Sequence, residues 1–169
     1  MRVLVTGGAG YIGTHTMVEI LAADYTPLVV DNFVNSSPVA LEHVARLSNR
    51  KFEHAEASLT DAPAMRQITE DFKPEAVIHF AGLKAVGESE QNPLAYYEEN
   101  VSGTIQLLKA MDAVGCKKIV FSSSPSLPRL RWGGATGLRC LAATTTPPRA
   151  PAYATTFTWM TWHPRISMP

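Results

Sequence analysis

Apolar residues in the first 122 positions follow two alternating patterns. Short runs such as Val3-Leu4-Val5, Pro27-Leu28-Val29-Val30 and Ala76-Val77-Ile78 are bounded by turn residues. They predict strands at 2–6, 27–31, 51–55, 76–80 and 117–122. The intervening segments repeat their apolar positions at helical spacing and predict helices near 11–23, 38–48, 62–72 and 93–114. Asn92 followed by Pro93 suits the cap and first turn of the last helix, and Gly115 suits its stop. Alternating strand and helix predicts an α/β fold, a Rossmann-type doubly wound parallel sheet covered on both faces by right-handed crossovers. Such sheets hold ligands beyond the carboxyl ends of their strands. Gly7–Gly13, Asp31, Phe80–Lys84 and Ser122–Ser124 are therefore expected to converge on one crevice.

The periodicity stops at Ser124. Pro125, Pro128, Pro147, Pro148, Pro151 and Pro164 interrupt every candidate element beyond it, and Gly133-Gly134 adds a further break. Residues 1–124 are thus expected to form the domain, and 125–169 an irregular, poorly ordered tail. Charge sharpens that boundary. The whole chain is formally neutral, which argues against a nucleic-acid partner, but residues 1–124 hold ten Lys and Arg against fifteen acids, a balance of −5. Residues 125–169 hold five Arg and no Lys, Asp or Glu, a balance of +5, with all three Trp and seven of the twelve Pro.

A length of 169 residues with 46% apolar and 18% charged content suits one soluble globular domain. No apolar run is long enough for a membrane span, and a strand starting at Arg2 leaves no room for a signal peptide. Two cysteines, Cys116 and Cys140, are too few for a disulfide framework, so the expected setting is a reducing cytoplasm. No residue spacing supports a metal site.

The chemistry lies at the first turn. Val3-Leu4-Val5-Thr6 runs into Gly7-Gly8-Ala9-Gly10-Tyr11-Ile12-Gly13, and the next strand ends in Asp31, eighteen positions after Gly13. Strand, glycine turn, helix and distal acid together form a dinucleotide fingerprint. Gly7 serves the tight turn, Gly10 the close approach of a pyrophosphate, and Gly13 the packing of helix on sheet. The helix N-terminus supplies unpaired N–H groups and a positive dipole end for phosphate charge. Asp31 is placed to accept hydrogen bonds from the adenosine ribose and to repel a 2′-phosphate, so NAD is expected over NADP.

Longer segments carry a more specific likeness. Val-Thr-Gly-Gly-Ala-Gly-Tyr-Ile-Gly (5–13), Asp-Asn-Phe-Val-Asn-Ser (31–36), His-Phe-Ala-Gly-Leu-Lys-Ala-Val-Gly-Glu-Ser (79–89), Asn-Pro-Leu-Ala-Tyr-Tyr-Glu-Glu-Asn-Val-Ser-Gly-Thr (92–104) and Phe-Ser-Ser-Ser (121–124) resemble the UDP-glucose 4-epimerase family of extended short-chain dehydrogenases/reductases. The run 79–89 is the more discriminating, because related sugar-nucleotide dehydratases read differently there. The resemblance covers 1–124 without a gap.

That resemblance implies bound NAD that takes hydride from C4 of a UDP-hexose, rotation of the 4-keto sugar, and return of hydride to its other face. It places Tyr11 and Ile12 along the pyrophosphate, and Asp31, Asn32, Asn35 and Ser36 around the adenosine ribose. Phe80, Ala81, Gly82 and Lys84 form the far wall, with the Lys84 ammonium stabilising phosphate and ribose. Ser58, Leu59, Asn100 and Ser122 join the cofactor contacts, and Ser124 is the catalytic partner of the substrate hydroxyl. The long helix 93–114 is a candidate homodimer surface.

Two positions depart from the family. Ser58 stands where the family has an acid that contacts adenine, and Glu99 where it has asparagine; both are expected to weaken NAD binding. A larger departure is the Tyr-x-x-x-Lys pair, whose tyrosine is the family's catalytic base. After Ser124 the only tyrosine is Tyr153, with Phe at 157, and no lysine follows Lys118. Reading Ala154–His163 one base earlier, under an allowed choice of codons, gives Arg-Asp-Tyr-Ile-His-Val-Asp-Asp-Leu-Ala. That string is similar to a signature from the family's substrate-binding part, and the Trp and Met codons leave no freedom in the match. The tail therefore reads as an out-of-frame product, with a genuine basic extension as the alternative. The chain is expected to be inactive as written. The competing functions are a non-catalytic NAD-binding fragment and another NAD-dependent sugar-nucleotide enzyme such as a 4,6-dehydratase.

Overall fold

The computed structural model describes residues 1–122 and 158–161. Five parallel strands run β1 (Arg2–Thr6), β2 (Thr26–Asp31), β3 (Glu53–Glu56), β4 (Ala76–His79) and β5 (Lys118–Phe121), and a sixth, β6 (Thr158–Thr161), completes the sheet in the order β3-β2-β1-β4-β5-β6. β1 lies between β2 and β4, so successive crossovers leave it in opposite directions and a crevice opens at its carboxyl end.

Side-chain alternation along the strands builds two cores. Val3, Val5 and Val29 face α1 (Tyr11–Ala22) and α2 (Pro38–Ser48), meeting Met17, Ile20, Leu21, Leu41 and Val44. Leu4, Leu28, Val30 and Val77 face the other layer, where α3 (Ala62–Phe72) brings Met65 and α6 (Gly103–Ala113) brings Leu107 and Met111. The central strands are buried on both faces, which is why they read as continuous apolar runs. The helix ends follow local chemistry: Ser37 caps α2 and Asp61 caps α3, while Asn49 and Lys73 end them in the left-handed conformation.

Five sequence expectations need correction. β3 lies at 53–56 rather than 51–55, an edge strand with little burial to fix its register. The long helix expected at 93–114 is α5 (Pro93–Tyr97), a π-helical segment (Glu98–Ser102) and α6, because the backbone widens by one residue per turn across Glu98–Ser102. Asn92 makes no side-chain cap bond, although Pro93 does open α5. A six-residue helix, α4 (Val86–Gln91), was not foreseen. In the tail, Thr158–Thr161 pairs antiparallel with β5, Ile119 opposite Met160 and Val120 opposite Trp159. Thr, Trp, Met and Thr suit an extended segment, and the outer edge of β5 offers unpaired N–H and C=O groups to it. The expected irregularity elsewhere in 125–169, and Ser124 itself, lie outside the described residues.

Candidate functional site

The crevice is built from three strand ends. After β1, the Gly7 N–H donates to the Val30 carbonyl at 2.8 Å, and the Phe80 and Ala81 N–H groups both donate to the Thr6 carbonyl at 2.9 and 3.1 Å. Gly7 sits at φ +70°, and a Cβ there would lie 2.5 Å from the Ala81 nitrogen, so the turn after β1 and the loop after β4 touch backbone to backbone. Gly13 is needed for a related reason: its Cβ would meet the Gly7 carbonyl oxygen at 2.5 Å. The close packing expected at Gly13 is thus against the turn itself, not the sheet. Gly10, by contrast, has only that oxygen near its Cβ position, at 3.4 Å, and no side chain caps α1. The first N–H groups of α1 are left for a ligand anion.

Asp31 ends β2 nearly buried, with both carboxylate oxygens engaged. One accepts from the Ala9 N–H at 3.0 Å; the other accepts from the Phe33 N–H at 3.0 Å and the Ser36 hydroxyl at 2.8 Å. The acid therefore ties the glycine turn to the 32–36 loop, and lone-pair capacity remains for a ribose hydroxyl. Asn32 accepts from the Val34 N–H within the same loop at 3.3 Å.

The loop after β4 is held from below. Asn100 accepts from the Leu83 N–H at 2.7 Å and donates to the Leu83 carbonyl at 2.9 Å. Lys84 is an exposed residue whose ammonium turns back to donate to the Phe80 carbonyl at 3.2 Å, and desolvation there lowers its pKa. His79 is buried between Thr6 and Thr104, with its pKa pushed down to about 4 by burial first and the Lys84 charge second.

These parts enclose an open cavity of about 470 Å³. Gly7, Gly10, Tyr11, Ile12, Gly13, Asp31, Asn32, Asn35, Ser36, Leu59, Phe80, Ala81, Gly82 and Lys84 all line it, as the sequence reading places them. Ser58, Asn100 and Ser122 are not among its lining residues. Ser58 shares a hydrogen bond of 2.8 Å with Thr60 and donates to Glu99 at 3.4 Å; Ser122 is buried, and its N–H donates to the His79 carbonyl at 3.0 Å. The lining also includes Ala57, Leu83, Ala85, Glu88, Tyr96 and Glu99, which the sequence reading did not assign to the cofactor. Glu99 carried a signal as a departure from the family pattern, Leu83 lies within the run 80–84 expected at the crevice, and Ala85, Glu88 and Tyr96 lie within the segments that resemble the family; Ala57 carried none. Among the described residues no group of three or more His, Cys, Asp or Glu could hold a metal ion, and no helix is long and apolar enough to cross a membrane.

A glycine cradle at a helix N-terminus, an acid at the end of the second strand and a cation on the opposite wall define a dinucleotide-binding protein of the doubly wound α/β class. The chain belongs to the NAD dependent epimerase/dehydratase family, whose model matches residues 3–128. It is 52% identical over 132 residues to the UDP-glucose 4-epimerases of Mus musculus and Homo sapiens, covering 75% of this chain and 38% of each relative. A solved UDP-glucose 4-epimerase from Bifidobacterium longum, in complex with NAD+ and UDP, superposes with a TM-score of 0.72 at 46% identity, over 74% of this chain and 37% of that one. The chain spans less than two fifths of the length of these relatives.

Proposed function

We propose that this chain carries the NAD-binding part of a UDP-glucose 4-epimerase. The carrying observation is the cavity at the β1–β4 switch point, lined along one wall by the glycine turn and Asp31 and along the other by the distinctive run after His79. When bound, NAD supplies the hydride acceptor and donor for C4 of a UDP-hexose. Backbone N–H groups at Gly10–Gly13 bind its pyrophosphate, and Asp31 with Asn32, Asn35 and Ser36 orients the adenosine ribose. Asp31 also disfavours a 2′-phosphate by charge, so NAD is preferred to NADP. Lys84 contributes positive charge to the same site, and Ser124 is proposed to meet the substrate hydroxyl.

The chain as written has no Tyr-x-x-x-Lys, the pair that carries the family's catalytic base. Binding is therefore expected without turnover, so a non-catalytic NAD-binding fragment describes this polypeptide better than an active enzyme. The family match stopping at residue 128 supports the boundary near 124 and the reading of 125–169 as an out-of-frame segment. Sequencing the coding DNA tests that reading; an uninterrupted frame with tail homologues elsewhere would remove it. Leu94, Tyr97, Val101, Ile105 and Leu108 form an exposed apolar row along α5, the π segment and α6, which supports a homodimer through this face. The cysteine count supports a cytoplasmic setting.

Calorimetric titration with NAD and NADP, alongside a UDP-galactose turnover assay, tests the main reading. NAD binding with weaker NADP binding and no turnover is expected. Absence of NAD binding overturns the cofactor assignment, and turnover well above background overturns the predicted inactivity.

A further inference from the structure

Behind the cavity, a hydrogen-bond chain, buried at its sheet end and part-buried beyond it, links the sheet to the loop that roofs the site. The Thr104 hydroxyl donates to the Asn100 carbonyl at 2.6 Å. Its one proton is thereby committed, so at 3.1 Å from His79 Nε2 the hydroxyl oxygen accepts, and Nε2 carries the ring proton. His79 Nδ1 is left as an acceptor, and Thr6 Oγ1 donates to it at 2.6 Å. The orientation of every bond follows from a single donor.

The far end of this chain reaches the cavity. The Asn100 side chain pairs with both backbone groups of Leu83, and its Oδ1 lies 3.0 Å from where a Gly82 Cβ would stand. Leu83, Gly82 and Lys84 line the site, whereas His79, Thr104 and Asn100 do not. Asn100 and the Thr104 bond to its carbonyl lie at the π segment, where the widened backbone departs from the regular helical pattern.

We propose that His79 is a positioning residue for the dinucleotide cradle, acting through Thr104 and Asn100 to fix the Leu83 backbone at the cavity wall. Its consequence for NAD rests on the cofactor reading above; its consequence for Leu83 does not. Neutral, buried imidazole suits the task because it offers one donor and one acceptor in a rigid ring.

The test compares His79→Gln, whose amide nitrogen can still donate toward Thr104, with His79→Asn, which keeps only an acceptor toward Thr6. Thr104→Val removes the bridge without touching the sheet, and Thr104→Ser restores the hydroxyl. Amide hydrogen exchange is measured at Leu83 and, as an internal standard for global opening, at Val5 and Val29. Leu83 protection relative to that standard is expected to fall about tenfold in His79→Asn and Thr104→Val. It should stay within about threefold of the parent in His79→Gln and Thr104→Ser.

Equal relative protection in Thr104→Val and the parent overturns the proposal, even if both His79 variants fail to fold. A purely structural histidine would shift all three amides together and overturn it as well. NAD affinity by titration is expected to fall about tenfold in Thr104→Val and to recover in Thr104→Ser. Lost Leu83 protection with unchanged NAD affinity rejects the link to the cradle. If the parent chain binds no NAD, the cofactor reading fails while the exchange data still judge the positioning role.

Discussion

Acidification should destabilise this domain through His79 before its surface carboxylates dominate. In the folded chain the ring is buried, packed 4.9 Å from Phe121 between centroids, and near the Lys84 charge; its pKa drops from 6.5 to about 4. Unfolding returns it to water, where it binds a proton at its ordinary value. Between those two values the unfolded state holds more protons than the native state, so stability rises with pH across that window and falls as acid is added. A gap of about 2.5 pH units at about 1.4 kcal/mol each sets an upper scale of about 3.5 kcal/mol. Urea unfolding followed by circular dichroism at pH 7, 6, 5 and 4.5, on the parent and on His79→Gln, isolates the effect. Carboxylate titration is common to both proteins and cancels in the difference. The parent should lose about 2–3 kcal/mol more than the variant between pH 7 and 4.5. Parallel stability profiles would refute the buried, neutral histidine on which the hydrogen-bond orientation depends.

The backbone contact at the first turn makes a second prediction. Gly7→Ala forces both a positive φ and a Cβ 2.5 Å from the Ala81 nitrogen, so it should cost about 3 kcal/mol or more by urea midpoint and weaken NAD binding with it. Leu107→Ala empties a fully buried position between α6 and the sheet and should cost about 2–5 kcal/mol in the same assay, with NAD affinity per folded molecule unchanged. Glu99→Asn removes a carboxylate from the cavity lining and should tighten NAD by about threefold to tenfold at low salt, with the gain shrinking as salt is added. Unchanged affinity in Glu99→Asn would mean that the acid faces solvent rather than the dinucleotide.

The sequence revealed more of the cradle than of what holds it in place. Gly7 and Asp31 could be read in advance because each answers a local demand, a tight turn and an acid at a strand end, whereas Gly13 was read as packing on the sheet and instead packs on the turn itself. Fully buried strands such as β1 and β2 were also plain, since both faces require apolar residues. α4 was not, because Val86–Gln91 is short and mostly polar, with no apolar stripe. The π segment was hidden for the opposite reason. Apolar residues continue at helical spacing through 93–114, and a one-residue widening hardly disturbs that pattern while it alters the seat of Asn100. The pairing of His79 with Thr6 and Thr104 spans 73 and 25 positions, separations at which no periodicity can announce a contact. β6 was missed because Thr158–Thr161 has strand-forming residues but depends on an edge supplied by β5.

Those supports also explain why the cavity takes its shape from residues 1–122 alone. Asp31 binds the glycine turn to the 32–36 loop, Gly7 is clasped between Val30 and Ala81, and Asn100 holds Leu83. Every one of these bonds is made between residues of 1–122, and no described buried side-chain polar atom is left without a partner. The cavity walls are therefore fixed by contacts internal to this segment before any ligand arrives, so little ordering must accompany binding. His79 is committed at both nitrogens and Lys84 donates to a backbone carbonyl, so both groups serve the scaffold. That division makes binding and chemistry separately testable: the groups that shape the cradle are already satisfied by one another, so the shape of the cavity does not depend on a catalytic group.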